Sequence, residues 1–555
     1  MQCKPLLPFL VVLSIISVSP AVDPQSRHSS NSSQRGTFVR PSSPDNWLGG
    51  AGNWSNGGDW SAGLPGANSD VTIYTGHDDV TLDTSSSINS LTLGGSGGLM
   101  TSTLIGDGNA RTLTIAGSLT INDSGYLQLL NDTVTASSTT NTGYLDVSNG
   151  SSLQISGNFS NNSGLLSTGF LGGGGGNTLT IGGTLTNAYG ATFYVLGAGD
   201  VANVGQLVNQ GFMEIGSGTT LNLTNQPNGV TDIPVNSIWN IDGTFTAGGN
   251  NALATLTTIE GTLDLGNGQT TSITPTGGTL TLTGGLTVDS GSVLHLNGNL
   301  NDVGGGMATG EGSGNNTFTI SGTLTMNSAA SLELFGQGDL VSMAALNNSG
   351  NIDVINAGTL QVSGSVVNSG CIGQCGDVPI SGGNTYNIGG TLTNQASGVF
   401  YTLTDDTVNA GSIVNSGFMR FDPGTRVTAG SFSFNPGAAL GIDIAGANNF
   451  ATLMSTGSVG LNGGLYVYLD NGYTPPAGQA FKFLTFSPGS LTGTFSSVNG
   501  FGENYNVIYD DSAGYVELVA EGNTGTVPEP SSFLLLGSGV LGIAAAVRRQ
   551  LGGKL

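Results

Sequence analysis

The sequence predicts an all-β fold, a right-handed parallel β-helix or solenoid, on three observations. First, a strand pattern recurs: Thr, apolar, Thr or Asn, apolar, then a Gly and a Leu-Thr pair, starting at Thr112, Thr178, Thr279, Thr317 and Thr385. Its period of two puts large apolar side chains on one face and hydroxyls on the other, as in a half-buried strand, and the Gly permits a tight bend before the next strand. Second, longer units repeat: Asn177 to Leu223 aligns without a gap on Asn316 to Val362, and Asn384 to Thr428 follows the same course with one residue deleted. Third, the 555 residues include 94 Gly and only 8% charged residues, yet 37% are hydrophobic, enough to build a core.

Repeats of this length favour stacking over independent domains. A single coil buries too little apolar surface to offset the entropy of ordering its backbone, whereas stacked coils gain ladder hydrogen bonds and packing on both sides. Antiparallel β-sandwiches are the alternative, disfavoured by the scarcity of regularly spaced Asn-Gly or Asp-Gly hairpins. Thr, Ser and Asn suit outward strand positions and turns, which predicts polar Thr and Asn ladders displayed on the solenoid surface.

In chain order, the N-terminus has one basic residue, Lys4, an apolar run from Leu6 to Val18, and then Ser19, Pro20 and Ala21. This is a secretory signal peptide, residues 1–21, too short to span stably. A Ser/Asn/Arg-rich linker follows over 22–45, and a Trp-rich segment over 46–69 holds Trp47, Trp54 and Trp60. Aromatic faces can stack on sugars, but the favoured reading is a cap over the open end of the solenoid, where exposed strands would otherwise pair with other chains. The solenoid itself is placed at 70–455. Over 456–520 the pattern shifts to aromatic strands such as Gly464 to Leu469 and Phe481 to Phe486, a β-rich C-terminal cap, followed by a linker at 521–527. The Trp segment resembles the opening of many secreted bacterial β-helix proteins, and the closing strands resemble those of autotransporter passengers. No membrane barrel follows, so the reading does not include self-export.

The end of the chain is the most specific signal. Pro528-Glu529-Pro530 precedes an apolar stretch from Phe533 to Val547 and then Arg548-Arg549. Fifteen helical residues rise only about 22 Å, short of a hydrocarbon core of about 30 Å, with the arginines biased to the cytoplasmic side. These three parts, over 527–550, resemble the PEP-CTERM sorting signal of Gram-negative bacteria. The resemblance implies processing of the 528–555 segment by a membrane-bound exosortase, a transient inner-membrane anchor through the C-terminal helix, and association with exopolysaccharide.

Charge narrows the function further. There are 35 acidic and 11 basic residues, a formal net charge of −24, and no Lys or Arg occurs between Thr112 and Met419. Nucleic-acid binding needs cations to neutralise phosphates, so it is excluded here. Cys371 and Cys375, in Gly370-Cys-Ile-Gly-Gln-Cys-Gly376, are read as a local disulfide in an oxidising compartment, with free thiols as the alternative. A metal site would need more ligands than His28, His77 and His295 offer. The adjacent pairs Asp78-Asp79, Asp405-Asp406 and Asp510-Asp511 would point to opposite faces of a strand and are placed at solvated turns rather than in a catalytic dyad. Gly106-Asp107-Gly108-Asn109 and Gly197-Ala198-Gly199-Asp200 are isolated turns rather than a calcium-binding repeat, and no cofactor is expected. The sequence therefore reads as an exported, non-enzymatic structural or adhesin-like surface protein. A secreted carbohydrate-active β-helix enzyme, a lyase or hydrolase, is the alternative.

Overall fold

The computed structural model describes residues 42–521 apart from 75, 96–100, 171–173, 227, 248, 311–313 and 377–380. The expected signal peptide, residues 22–41 of the expected linker, residues 522–527, and the sorting signal with Pro528, Glu529, Pro530, Arg548 and Arg549 lie outside the described residues. The described chain is a parallel β-solenoid of about 18 turns, whose coils lay their strands on three faces, the first, second and third sheets. Among the described residues the helical content is a single 3-10 turn at Gly57–Asp59, and no helix is long and apolar enough to cross a membrane.

One coil shows how the sequence makes the turn. Tyr144–Ser148 lies on the first sheet, Ser152–Ile155 on the second and Phe159–Asn161 on the third, before Leu165–Thr168 starts the next coil. Leu145, Val147, Leu153, Ile155 and Phe159 point inward and are buried. At the first corner Asn149 and Gly150 have φ of 55° and 74°, the left-handed conformation that Asn and Gly accept most readily. The next coil repeats the register, with Leu145 beside Leu166, Leu153 beside Leu179 and Phe159 beside Leu185. The core is thus a set of columns of apolar side chains running along the solenoid axis.

The bend between the second and third sheets is made in two ways. In most coils it separates two short strands, but in each long repeat a continuous strand runs through it, as in Thr178–Asn187, Thr317–Met326 and Thr385–Asn394. The register shifts at the bend, between Ile181 and Thr184 in the first of these. Glycine is required there by proximity rather than by φ: a Cβ on Gly205 would lie 2.4 Å from the carbonyl oxygens of Gly182 and Gly183 on the neighbouring coil.

The first sheet is continuous from Ala51–Asn53 to Ser497–Gly500. The second is interrupted: Asn250–Asn251 folds back antiparallel on Thr244–Ala247, and the ladder resumes at Thr270–Ile273. The ends differ from the expected boundaries. Parallel pairing begins within the expected linker, where Ser43–Asn46 pairs with Ser69–Ile73. It also continues well into the expected C-terminal cap, since Ala480–Thr485, Leu491–Gly493 and Ser497–Gly500 each add in parallel to the preceding coil. Among the described residues of that cap, Tyr515–Ala520 pairs antiparallel with Ala480–Thr485, and Tyr505–Asp510 adds antiparallel to Tyr515–Ala520. At the other end Trp47, Trp54 and Trp60 are buried, with ring centroids 4.9 Å apart in edge-to-face contacts of Trp60 with each of the others. Their indole faces are spent on one another and on the core, so they present no sugar-stacking surface.

Candidate functional site

The outward positions of the second sheet form polar ladders. Thr114, Thr135, Gln154, Thr180, Asn203, Asn222 and Thr246 are in register on successive coils. After the interruption a second run passes through Thr319, Ser342, Gln361, Asn387, Asn409 and Thr428. Neighbours within the ladders hydrogen bond along the axis: Asn222 Nδ2 donates to Asn203 Oδ1 at 3.0 Å and Asn409 Nδ2 to Asn387 Oδ1 at 2.9 Å. A hydroxyl or amide is therefore offered at every rung, about 4.8 Å apart. Where this sheet meets the third, small residues leave a shallow depression of about 350 Å³ lined by Thr135, Ser137, Gln154, Ser156, Thr180 and Gly182.

The longest asparagine stacks are internal rather than displayed. Asn141 donates to Asn161, Asn161 to Asn187 and Asn187 to Asn209, at 2.8, 2.7 and 2.7 Å. A second stack joins Asn348, Asn368, Asn394 and Asn415 at 2.9, 2.8 and 2.9 Å. Each donating amide also reaches a first-sheet carbonyl, as Asn187 does to Phe212 O at 2.9 Å. The stacks hold the corner between the third and first sheets, where the turning backbone leaves carbonyls facing inward. Their signal in the sequence is Asn-x-Gly, at Asn141, Asn209, Asn348, Asn368 and Asn415, which was legible as a turn but not as a buried ladder.

The opposite corner uses buried carboxylates. Asp200 accepts from the backbone N–H groups of Asn177 and Gly197, and Asp339 does the same for Asn316 and Gly336. Asp406 accepts from Asn384 N–H and Leu403 N–H, both at 2.8 Å. Burial pushes Asp406 up to about 7 against these donors and Asp132, at the same corner, up to about 6; it also pushes Asp302, at the corner of the asparagine stacks, up to about 6. This corrects the expectation that the paired aspartates lie at solvated turns. Asp78 and Asp406 are fully buried beside exposed Asp79 and Asp405. Asp510 does sit at a turn, accepting from Ser512 and Ala513.

The first sheet concentrates the ionisable and aromatic side chains. Arg420, the first basic residue after Arg111, donates from Nε to both oxygens of fully buried Asp443 at 3.0 Å. Its guanidinium lies between the rings of Tyr401 and Tyr468, 4.9 and 4.1 Å from their centroids. Beside it, burial and then the Asp443 charge push Asp422 up to about 7. Nearer the N-terminus, Tyr126, Tyr144, Phe170, Tyr194 and Phe212 face outward, followed by Glu214, Asn240 and Asp264 in register. A second depression, of about 320 Å³, is lined here by Asn240, Asp242, Asp264 and Asp289. Burial raises Asp242 and Glu214, with Asp289 adding to the first and Asp242 to the second. Among the described residues no group of three His, Cys, Asp or Glu is placed to hold a metal ion. Cys371 and Cys375 are bonded to each other, and Cys375 N–H donates to Asp353 at 2.6 Å.

Fold and surface together define a parallel β-solenoid with polar ladders on one face and an aromatic and acidic face on another. Residues 526–550 match the PEP-CTERM protein-sorting motif, which marks the chain as an exported protein sorted to the cell envelope and processed by an exosortase. No curated protein matches the chain.

Proposed function

We propose that the protein is a non-enzymatic structural or adhesin-like component of a Gram-negative cell surface or extracellular matrix, associated with exopolysaccharide. The C-terminal segment would anchor it transiently in the inner membrane until exosortase processing. The observation that carries this reading is the second-sheet ladder from Thr114 to Thr246: an unbroken row of hydroxyls and amides, one per coil, on a body with no Lys or Arg from Thr112 to Met419. Each such contact to a glycan hydroxyl is weak in water, so useful affinity comes from repetition along an extended partner.

The second reading, a carbohydrate-active enzyme, draws on Arg420, Asp422, Asp443 and Tyr401. Against it, the Nε edge of the guanidinium is already engaged by buried Asp443, and Tyr401 and Tyr468 cover its faces.

The experiment is to apply purified residues 22–526 to immobilised neutral and acidic polysaccharides, with release of reducing ends or unsaturated sugars assayed alongside. Retention without release supports the scaffold; steady release from any glycan overturns it. Mass measurement of the mature protein tests processing: loss of the tail beyond about residue 527 is expected, and an intact Leu555 in envelope fractions refutes it.

A further inference from the structure

The outward face of the first sheet differs in kind from the polar ladders of the second. Tyr126 and Tyr144 are register partners with ring centroids 6.2 Å apart. Farther along the same face Phe170 stacks on Tyr194, centroids 5.1 Å apart and planes 14° from parallel, and Phe212 meets Tyr194 edge-on at 5.6 Å. Tyr144 is 49% exposed and Phe170 43%, a cluster of aromatic surface that the core does not use. The rungs that follow change chemistry at once. Glu214 is the register partner of Tyr194, then come Asn240 and Asp264, with Asp242 and Asp289 at the rim of the 320 Å³ depression. From Tyr194 to Asp264 is three rungs, about 14 Å.

We propose that this strip, from the Phe170, Tyr194 and Phe212 platform past Glu214 to the depression lined by Asn240, Asp242 and Asp289, is a binding site for a neutral pyranose polysaccharide lying along the solenoid axis. The inference rests on the polysaccharide-contact reading above, but moves the main contact from the second-sheet ladder to the first sheet and gives it a substrate class. The apolar C–H face of a sugar ring fits the electron-rich face of an aromatic ring, and both surfaces are poorly solvated. Ionised carboxylates only accept hydrogen bonds, so the depression asks for a ligand rich in hydroxyl donors. Glu214, Asp242 and Asp289 repel uronate, sulfate and phosphate polymers, which selects an uncharged chain.

The test uses the processed protein in affinity electrophoresis through gels containing amylose, soluble β-glucan, alginate or no glycan, with polylysine and calcium chelation as further arms. Wild-type protein should be retarded by at least one neutral glycan. Tyr194→Ala and Phe170→Ala, outward positions checked for folding by circular dichroism, should each weaken that retardation about tenfold, equivalent to about 1.4 kcal/mol. Thr135→Val and Thr180→Val on the second sheet separate the two readings. If they abolish retardation while Tyr194→Ala does not, the site proposed here is refuted and the ladder reading stands. Retardation only by alginate, only by polylysine, or only with calcium present overturns the assignment of a neutral ligand. No retardation by any glycan overturns both.

Discussion

Replacing Asn187 by Ala probes the internal asparagine stack at its best-connected member. Asn187 Oδ1 accepts from Asn161 at 2.7 Å, and its Nδ2 donates to Asn209 at 2.7 Å and to Phe212 O at 2.9 Å. Asn161, Asn187 and Asn209 are buried, and the bond to Phe212 O is partly so. The substitution leaves Asn209 Oδ1 and Phe212 O without this donor, at about 1–3 kcal/mol for each buried acceptor. The expected loss is therefore about 2–6 kcal/mol, whereas Thr186→Ala on the outward neighbour should stay within about 0.5 kcal/mol. Urea unfolding followed by far-ultraviolet circular dichroism gives the total. Hydrogen exchange localises it, because solenoids open regionally and protection should fall first around residues 159–215. A loss below about 1 kcal/mol for Asn187→Ala would refute the reasoning, since it would mean that the stack follows the corner rather than holding it.

Acidification should stabilise the solenoid over part of the range. Burial pushes Asp132 and Asp302 up to about 6 and Asp406 up to about 7 from 3.8, and burial with the Asp443 charge raises Asp422 as well. Because the folded state holds these protons more tightly than the unfolded state, their contribution is fully present below about pH 4 and is lost as pH rises through 6 to 7. The urea midpoint at pH 5 should exceed that at pH 8, and an equal or lower midpoint at pH 5 would contradict the assignment. Trp54→Ala at the fully buried N-terminal cap should cost about 3–5 kcal/mol and expose residues 43–82 to exchange while leaving the distal coils protected. Reducing Cys371–Cys375, or replacing both with Ser, should cost about 2 kcal/mol at most, because the closed loop is only a few residues long. Alkylation and mass measurement of untreated protein should find both thiols blocked.

The stacking of coils was legible in the sequence because its cause is local. Alternation within Thr178–Ile181 or Thr317–Ile320 assigns each side chain to a face, and the glycines after them place the bend, so parallel stacking is the one way to bury every inward column. The sorting signal was legible for a similar reason, since its parts lie in order over 526–550 and act as linear chemistry. What the sequence left open depends on residues one coil apart. Asn187 and Asn394 look like outward or turn residues until the coils above and below supply partners; at the equivalent rung of the middle repeat stands Met326, and the stack there starts instead at Asn348. Asp406 looks solvated beside Asp405 until Leu403 and Asn384 turn their N–H groups onto it. Tyr194, Phe170 and Phe212 are scattered aromatics in one dimension and a single surface in three. Periodicity along a strand decides which way a side chain points, but the identity of its neighbour is decided by register between coils some twenty residues apart, and that is set by the assembled solenoid.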